Sequence, residues 1–253
     1  MFIPIDYAWL EATGLAAVRT TAFLFIAPPF SYGAFPARIK AMLGVGIAVV
    51  VSGTVSSPYE TLDTAGFFTA LVVQVVTGAL LGLLVLVCFS AVQSAGSLID
   101  VFGGFQLAQA FDPQMQVNGA QFTRLFQMTA LALLFASNGY QLILAGLVRS
   151  FTAVPVDGVL DLSRPADLLI DTVSQMMLSA VQIAGPLLLV LFLADVGLGL
   201  ITRVAPALNA FAMGFPVKIL LTFLLAGSVV LALPAIVGAL TEDALSLLTG
   251  GTR

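Results

Sequence analysis

GGFQLAQAFDPQMQVNGAQFTRLFQMTALALLFASNGYQLILAGLVRSFTAVP, residues 103–155, is the stretch whose reading decides the fold. An apolar chain is interrupted by a polar segment rich in amides. A second apolar run follows and ends at Arg149-Ser150-Phe151. The residue before a proline is pushed out of the α region, so Asp112-Pro113 predicts that a helix entering from Gln106 stops near Phe111 or Asp112. Gln114, Gln116, Asn118 and Gln121 then form a loop without apolar periodicity. Between long apolar helices, such a loop is tolerated only where it meets water or packs inside protein.

Of 253 residues, 60% are hydrophobic and 9% charged, and the mean hydropathy is +1.10. A soluble domain carries about 25% charged residues, so this chain cannot clothe itself in polar surface. It reads as an integral membrane protein or a subunit buried among apolar partners. No linker or charge run divides it, which predicts one domain over 1–253. Histidine is absent and Cys88 is the single cysteine. That excludes an internal disulfide and argues against zinc sites built from those ligands. The net charge of −4 leaves no nucleic-acid footprint. The opening MFIPIDYAWLEATG has neither a basic start nor a small-residue cleavage site, so it is expected to be structural.

Six apolar runs stand out: Ala8–Phe30, Ala41–Val55, Phe67–Ala95, Leu125–Val148, Val173–Ile201 and Pro216–Leu240. A spanning helix needs about 20 apolar residues. The second run falls short, the third and fifth exceed it, and Leu98–Phe111 reads as a further, shorter helix. Arg38, Lys40, Arg124, Arg203 and Lys218 fall on one side of the runs, and Arg149, Arg164 and Arg253 on the other. That bias predicts a cytoplasmic Arg38/Lys40 side with both termini outside. Asp157–Asp171 is acidic and reads as a solvated loop leading into a helix after Pro165. Pro28-Pro29, Pro36, Pro186, Pro206, Pro216 and Pro234 punctuate the chain and predict kinks. Gly78-Ala-Leu-Leu-Gly82 is a small-xxx-small pattern that permits close helix contact.

Glu11, Arg19, Asp100, Asp195, Arg203 and Lys218 are ionisable residues in or beside apolar runs, where a charge faces protein or water. Glu11 and Arg19 lie about two turns apart, on one helix face without touching, and Asp195 and Arg203 repeat that spacing. The two readings are a proton or ion relay, and ion pairs between helices or subunits. Catalysis would need convergent groups that this chain barely owns. The polar loop also has two readings. It is either a surface connector or a constriction sealed by Phe111, Met115 and Val117, since apolar constrictions gate by dewetting.

Three blocks carry a resemblance: GGFQLAQAFDPQ (103–114), LFASNGYQLILAGLVRSFTAVPV (134–156) and GPLLLVLFLADVGLGLITRVAPALNAFAMGFPVKILL (185–221). They resemble the FliR family, flagellar components of the type III export apparatus, and its relatives, the T component of virulence secretion systems. The resemblance runs from the PPFSYGAFPARIKAMLGVGIA region to Pro234, with one departure, Tyr140, where many members carry histidine after Asn-Gly. It implies an all-α fold of membrane-associated hairpins with kinked and broken helices, a FliP-like part joined to a FliQ-like hairpin, much of it above the membrane plane. It implies one copy per helical complex with FliP-like and FliQ-like subunits, in contact with FlhB-like and FlhA-like components, lipid and exported unfolded proteins. The location implied is the bacterial inner membrane, in the flagellar basal body.

The resemblance makes Phe111, Asp112, Pro113, Gln114, Met115, Gln116, Val117 and Asn118 a channel plug. It makes Gln106, Asn138, Gly139, Arg149, Phe151, Asp195, Arg203, Pro206, Asn209, Gly214, Pro216 and Lys218 assembly and packing determinants. No catalytic residue, metal or cofactor is implied. The leading expectation is a flagellar export-gate subunit working by steric gating. The alternatives are a virulence-type gate subunit and a small-solute secondary transporter, which would predict paired half-chains with matching broken helices.

Overall fold

The computed structural model describes residues 6–33, 35–56, 59–105, 121–157, 163–205 and 210–249. Among these the chain is all-α. The helices are α1 (Tyr7–Ile26), α2 (Ala37–Val55), α3 (Thr64–Phe102), α4 (Gln121–Ala136), α5 (Gly139–Ala153), α6 (Ser163–Val204) and α7 (Ala210–Leu248).

Local chemistry sets the boundaries. Asp6 caps α1, its carboxylate accepting from Ala8 N at 3.0 Å and Trp9 N at 3.3 Å, and Pro28-Pro29 follows the end of the helix. Asp63 accepts from Gly66 N at 3.0 Å in the first turn of α3. At the other end of α3, Gly103 N donates to Ile99 O at 2.8 Å and Gly104 takes φ +82°. Glycine adopts this left-handed terminator conformation without steric cost. The stretch read as one helix, Leu98–Phe111, is therefore divided. Leu98–Phe102 completes α3, the two glycines make the turn, and residues beyond Phe105 lie outside the described residues.

Four further boundaries differ from the sequence reading. The second run gains a turn because α2 starts at Ala37, directly after Pro36, with Arg38 and Lys40 inside it; at 19 residues it is long enough to span. The fourth run breaks into α4 and α5, which meet at 75°. Asn138 makes that break with φ 56°, a conformation asparagine tolerates better than most side chains. The acidic loop is shorter than expected because Ser163–Asp171 already belongs to α6. Pro165 sits in that first turn, where its missing N–H is not needed. The helices also continue through Pro186 in α6 and through Pro216 and Pro234 in α7.

By length and composition α2, α3, α6 and α7 could each cross a membrane, and α4 with α5 qualifies as one broken span. The first run, α1, does not join them. At 39, 42 and 39 residues, α3, α6 and α7 extend about 58–63 Å, twice a hydrocarbon core of about 30 Å.

The chain forms two compact units. Met1–Cys88, Leu134–Val173 and Ala239–Arg253 make the first, and Phe89–Leu133 with Ser174–Gly238 the second. In the first unit, Ala12, Leu15, Ala16, Ala48, Val51, Val55, Phe151 and Val156 form a buried core. Close approach there depends on glycine. A Cβ on Gly78 would collide with Arg19 O, and one on Gly82 would stand 3.0 Å from Phe23 O. The small-xxx-small pattern is thus the seam along which α3 packs on α1. On α2, a Cβ on Gly44 would collide with Thr21, and Thr20 Oγ1 lies 2.9 Å from Gly44 O.

Candidate functional site

Two polar centres organise the described residues, one in each unit. The first is Arg19, fully buried on α1. Its Nε donates to Gln74 Oε1 at 2.6 Å, and its terminal nitrogens donate to Ser150 O at 3.3 Å and Pro155 O at 3.4 Å. The guanidinium carbon stands 4.4 Å from the centroid of the Phe151 ring, a favourable cation–π placement. Gln74 Nε2 donates onward to Val156 O at 2.9 Å. Arg19 and Gln74 together hold the end of α5 and the three residues that follow. A cation there also suits the carbonyl-rich C-terminus of a helix. Two turns earlier, Glu11 accepts from Tyr59 Oη at 3.2 Å. Glu11 and Arg19 share a face and serve separate partners, as their spacing predicts.

The second centre lies where the chain leaves and re-enters the polar segment. Asp100, fully buried near the end of α3, accepts from Phe122 N at 2.9 Å and from Thr123 N and Thr123 Oγ1, both at 2.8 Å. The donors are first-turn groups of α4, so α3 supplies the N-cap of another helix. Beside this latch, the Phe105 ring meets Phe122 at 5.3 Å and Phe223 at 5.8 Å between centroids, and Phe122 meets Phe126 at 6.3 Å. These edge-on contacts are the preferred geometry for aromatic pairs. Phe105 and Phe122 therefore touch although 16 residues separate them in sequence.

Phe111, Asp112, Pro113, Gln114, Met115, Gln116, Val117 and Asn118, expected to form the plug, lie outside the described residues, as do Gln106, Pro206 and Asn209. The other expected packing residues separate by environment. Phe151 is core, beneath Arg19, and Gly139 is buried, where a Cβ would stand 2.7 Å from Leu134. A Cβ on Gly214 would meet Leu198 at an ordinary 3.5 Å. Asn138, Arg149, Arg203 and Pro216 are exposed.

Asp195 and Arg203, two turns apart on α6, take different environments, and Asp195 is the one with an ion pair. It pairs with Lys218 of α7 at 2.6 Å, with side-chain exposures of 47% and 18% respectively. The reading of ion pairs between helices thus holds for Asp195, while Arg203 in the last turn of α6 faces outward. Large apolar side chains are also exposed along α6 and α7, including Phe192, Leu200, Leu224 and Leu231.

The family model described as "Bacterial export proteins, family 1" matches residues 10–244. The chain belongs to that family. Among its relatives is the flagellar biosynthetic protein FliR of Bacillus subtilis (strain 168), 28% identical over 214 residues and covering 83% of each chain. FliR of Escherichia coli (strain K12) is 29% identical over 214 residues, 84% of this chain and 81% of that one. The Yop proteins translocation protein T of Yersinia pestis is 28% identical over 171 residues, 67% of this chain and 66% of that one. The export family thus includes flagellar and virulence-system proteins, as the resemblance implied. Gln74 is the candidate that sequence reasoning did not single out, and Asp100 was singled out only as an ionisable residue in an apolar run, without its partners. The only signal was a lone polar group inside an apolar run, which says that a partner exists but not where.

Proposed function

We propose that this chain is a subunit of the flagellar type III export gate, forming part of the channel through which unfolded substrate proteins cross the inner membrane. The observation that carries the reading is the family match over residues 10–244, supported by flagellar FliR relatives that align over most of the chain. The whole chain acts as one export-gate domain, built from a FliP-like part and a FliQ-like hairpin. Helices about twice as long as a bilayer core is thick fit a subunit that stands partly above the membrane plane. Its exposed apolar side chains fit burial against FliP-like and FliQ-like partners, with FlhB-like and FlhA-like components beside them.

The mechanism is steric. The polar loop near 112–121 acts as a plug, and the described residues on either side of it, Phe105 and Phe122, are held against each other. Phe111, Met115 and Val117 supply the apolar seal, and the amides keep the segment wettable once it is displaced. The chain catalyses no reaction and holds no cofactor, and energy comes from elsewhere in the apparatus.

The test is export in the native host. Deleting the gene for this chain should remove flagellar subunits from the culture medium, and restoring it should return them. A deletion strain that still exports flagellar subunits but loses secretion of virulence proteins would move the chain to the virulence-type gate. Normal export of both would refute the reading.

A further inference from the structure

One face of α2 is exposed along its whole length. Arg38, Met42, Val45 and Val49 follow one another at helical spacing, and all four are exposed. Beside them a Cβ on Gly46 or Gly53 would meet open space, so the stripe is notched. The opposite face packs on α1, which runs antiparallel. Lys40 Nζ stands 5.4 Å from the Phe25 ring, Thr20 Oγ1 donates to Gly44 O at 2.9 Å, and Tyr59 Oη donates to Glu11 at 3.2 Å. The first turn of α1, with exposed Tyr7 and Trp9, therefore lies at the far end of α2 from Arg38. No acidic residue occurs between Glu11 and Glu60, and among the described residues Arg38 has no ion pair. Lys40 donates to Ser31 O at 3.2 Å, a second positive charge behind the first.

From this geometry we infer that α2 carries a site for a phospholipid with a net-anionic headgroup. The Arg38 guanidinium takes the phosphate, and an acyl chain lies along Met42, Gly46, Val49 and Gly53. Three features favour lipid over a partner helix. The 19 residues of α2 rise about 28 Å, close to one hydrocarbon core of about 30 Å. A basic residue closes one end of that length and amphipathic rings the other, as on a lipid-facing surface. The unpaired charge then selects the headgroup. A guanidinium offers parallel N–H donors that match two phosphate oxygens. A zwitterionic lipid would bring its own cation towards Arg38 and Lys40, so the anionic form is preferred. This site is independent of the export-gate reading.

The experiment first asks what covers the face. The full chain, in native membranes with its partner subunits, carries a photoreactive benzophenone in place of Val50, which is 84% exposed beside the stripe. Illumination should add the mass of one phospholipid to the chain. A cross-link to another protein, or no lipid adduct at all, overturns the inference. Native mass spectrometry of the purified full chain, supplied with phosphatidylglycerol or phosphatidylcholine, then reads the headgroup. Phosphatidylglycerol should be retained in preference, and Arg38→Gln should weaken that preference roughly fivefold. Arg38 is exposed, so the variant leaves the packing on α1 intact. Arg149→Gln, at an exposed arginine of α5, should retain the lipid as wild type does. Equal loss in the two variants would make the preference one of net charge and overturn the site. Displacement of the bound lipid by glycerol phosphate alone would also overturn it, since the acyl chain would then contribute nothing.

Discussion

Replacing Arg19 by methionine, which keeps its apolar length, probes the first polar centre directly. The substitution removes a buried charge together with its bonds, so what it strands decides the outcome. Gln74 Oε1 loses its 2.6 Å donor and Pro155 O loses its 3.4 Å donor, whereas Ser150 O keeps the Val154 N–H at 2.9 Å. At about 1–3 kcal/mol for each stranded buried acceptor, with the longer bond at the low end, the cost is about 3 kcal/mol. Gln74→Leu strands the guanidinium Nε and Val156 O instead, and at about 1–3 kcal/mol for each stranded buried group it too costs about 3 kcal/mol. The double variant strands only two peripheral carbonyls. It should cost about as much as either single variant, a coupling of about 3 kcal/mol.

For a chain of this size each kcal/mol moves the melting temperature by about 2–4 °C, so each single variant should melt about 6–12 °C lower. Trp9, the single tryptophan, lies on the same helix as Arg19, and its fluorescence during heating of the detergent-solubilised chain reports the unit concerned. Single variants that melt with wild type, or losses that simply add in the double variant, would refute the Arg19–Gln74 clamp.

Three further expectations follow from the same geometry. Gly78→Ala, whose new methyl group collides with the backbone carbonyl of Arg19, should lower thermal stability more than Gly53→Ala on α2, where a Cβ meets open space; equal melting points would dismiss the glycine seam. Burial, then the bond to and charge of Glu11, then the charge of Asp157, push the Tyr59 phenol up to about 12. Because the folded value is raised, the stabilisation is complete below the ordinary value near 10 and is lost as pH rises towards about 12. Absorbance titration at alkaline pH should therefore show one late tyrosine, missing in Tyr59→Phe and moved lower in Glu11→Gln. Neutralising Asp195 or Lys218 should reduce recovery of the assembled complex, and the swap Asp195→Lys with Lys218→Asp should restore part of it. Full assembly with lost export would point to a conduction role instead.

The helical class and most span positions were legible because apolar run length reports directly on helices that must satisfy their own backbone. The Gly78/Gly82 pattern was legible as permission for close helix contact, whereas its partner, α1, was not. The Asn138 break carried a signal, Ser137-Asn138-Gly139, that the continuous apolar run around it masked. The partners of the buried charges were not legible. Asp195 and Arg203 share a helix face, but the group that reaches Asp195 comes from the next helix. Arg19 finds its partners 55 and more positions away. The cap of α4 escaped for the same reason, since capping rules look just before a helix and Asp100 stands on a different one.

The central claim, that this chain works as one subunit of a mixed export gate, is tested most directly by native mass spectrometry of the tagged chain co-expressed with its FliP-like and FliQ-like neighbours. The account predicts one copy of the chain inside a larger mixed complex. A stable monomer or homodimer that leaves those neighbours unbound would contradict it and favour a self-contained transporter.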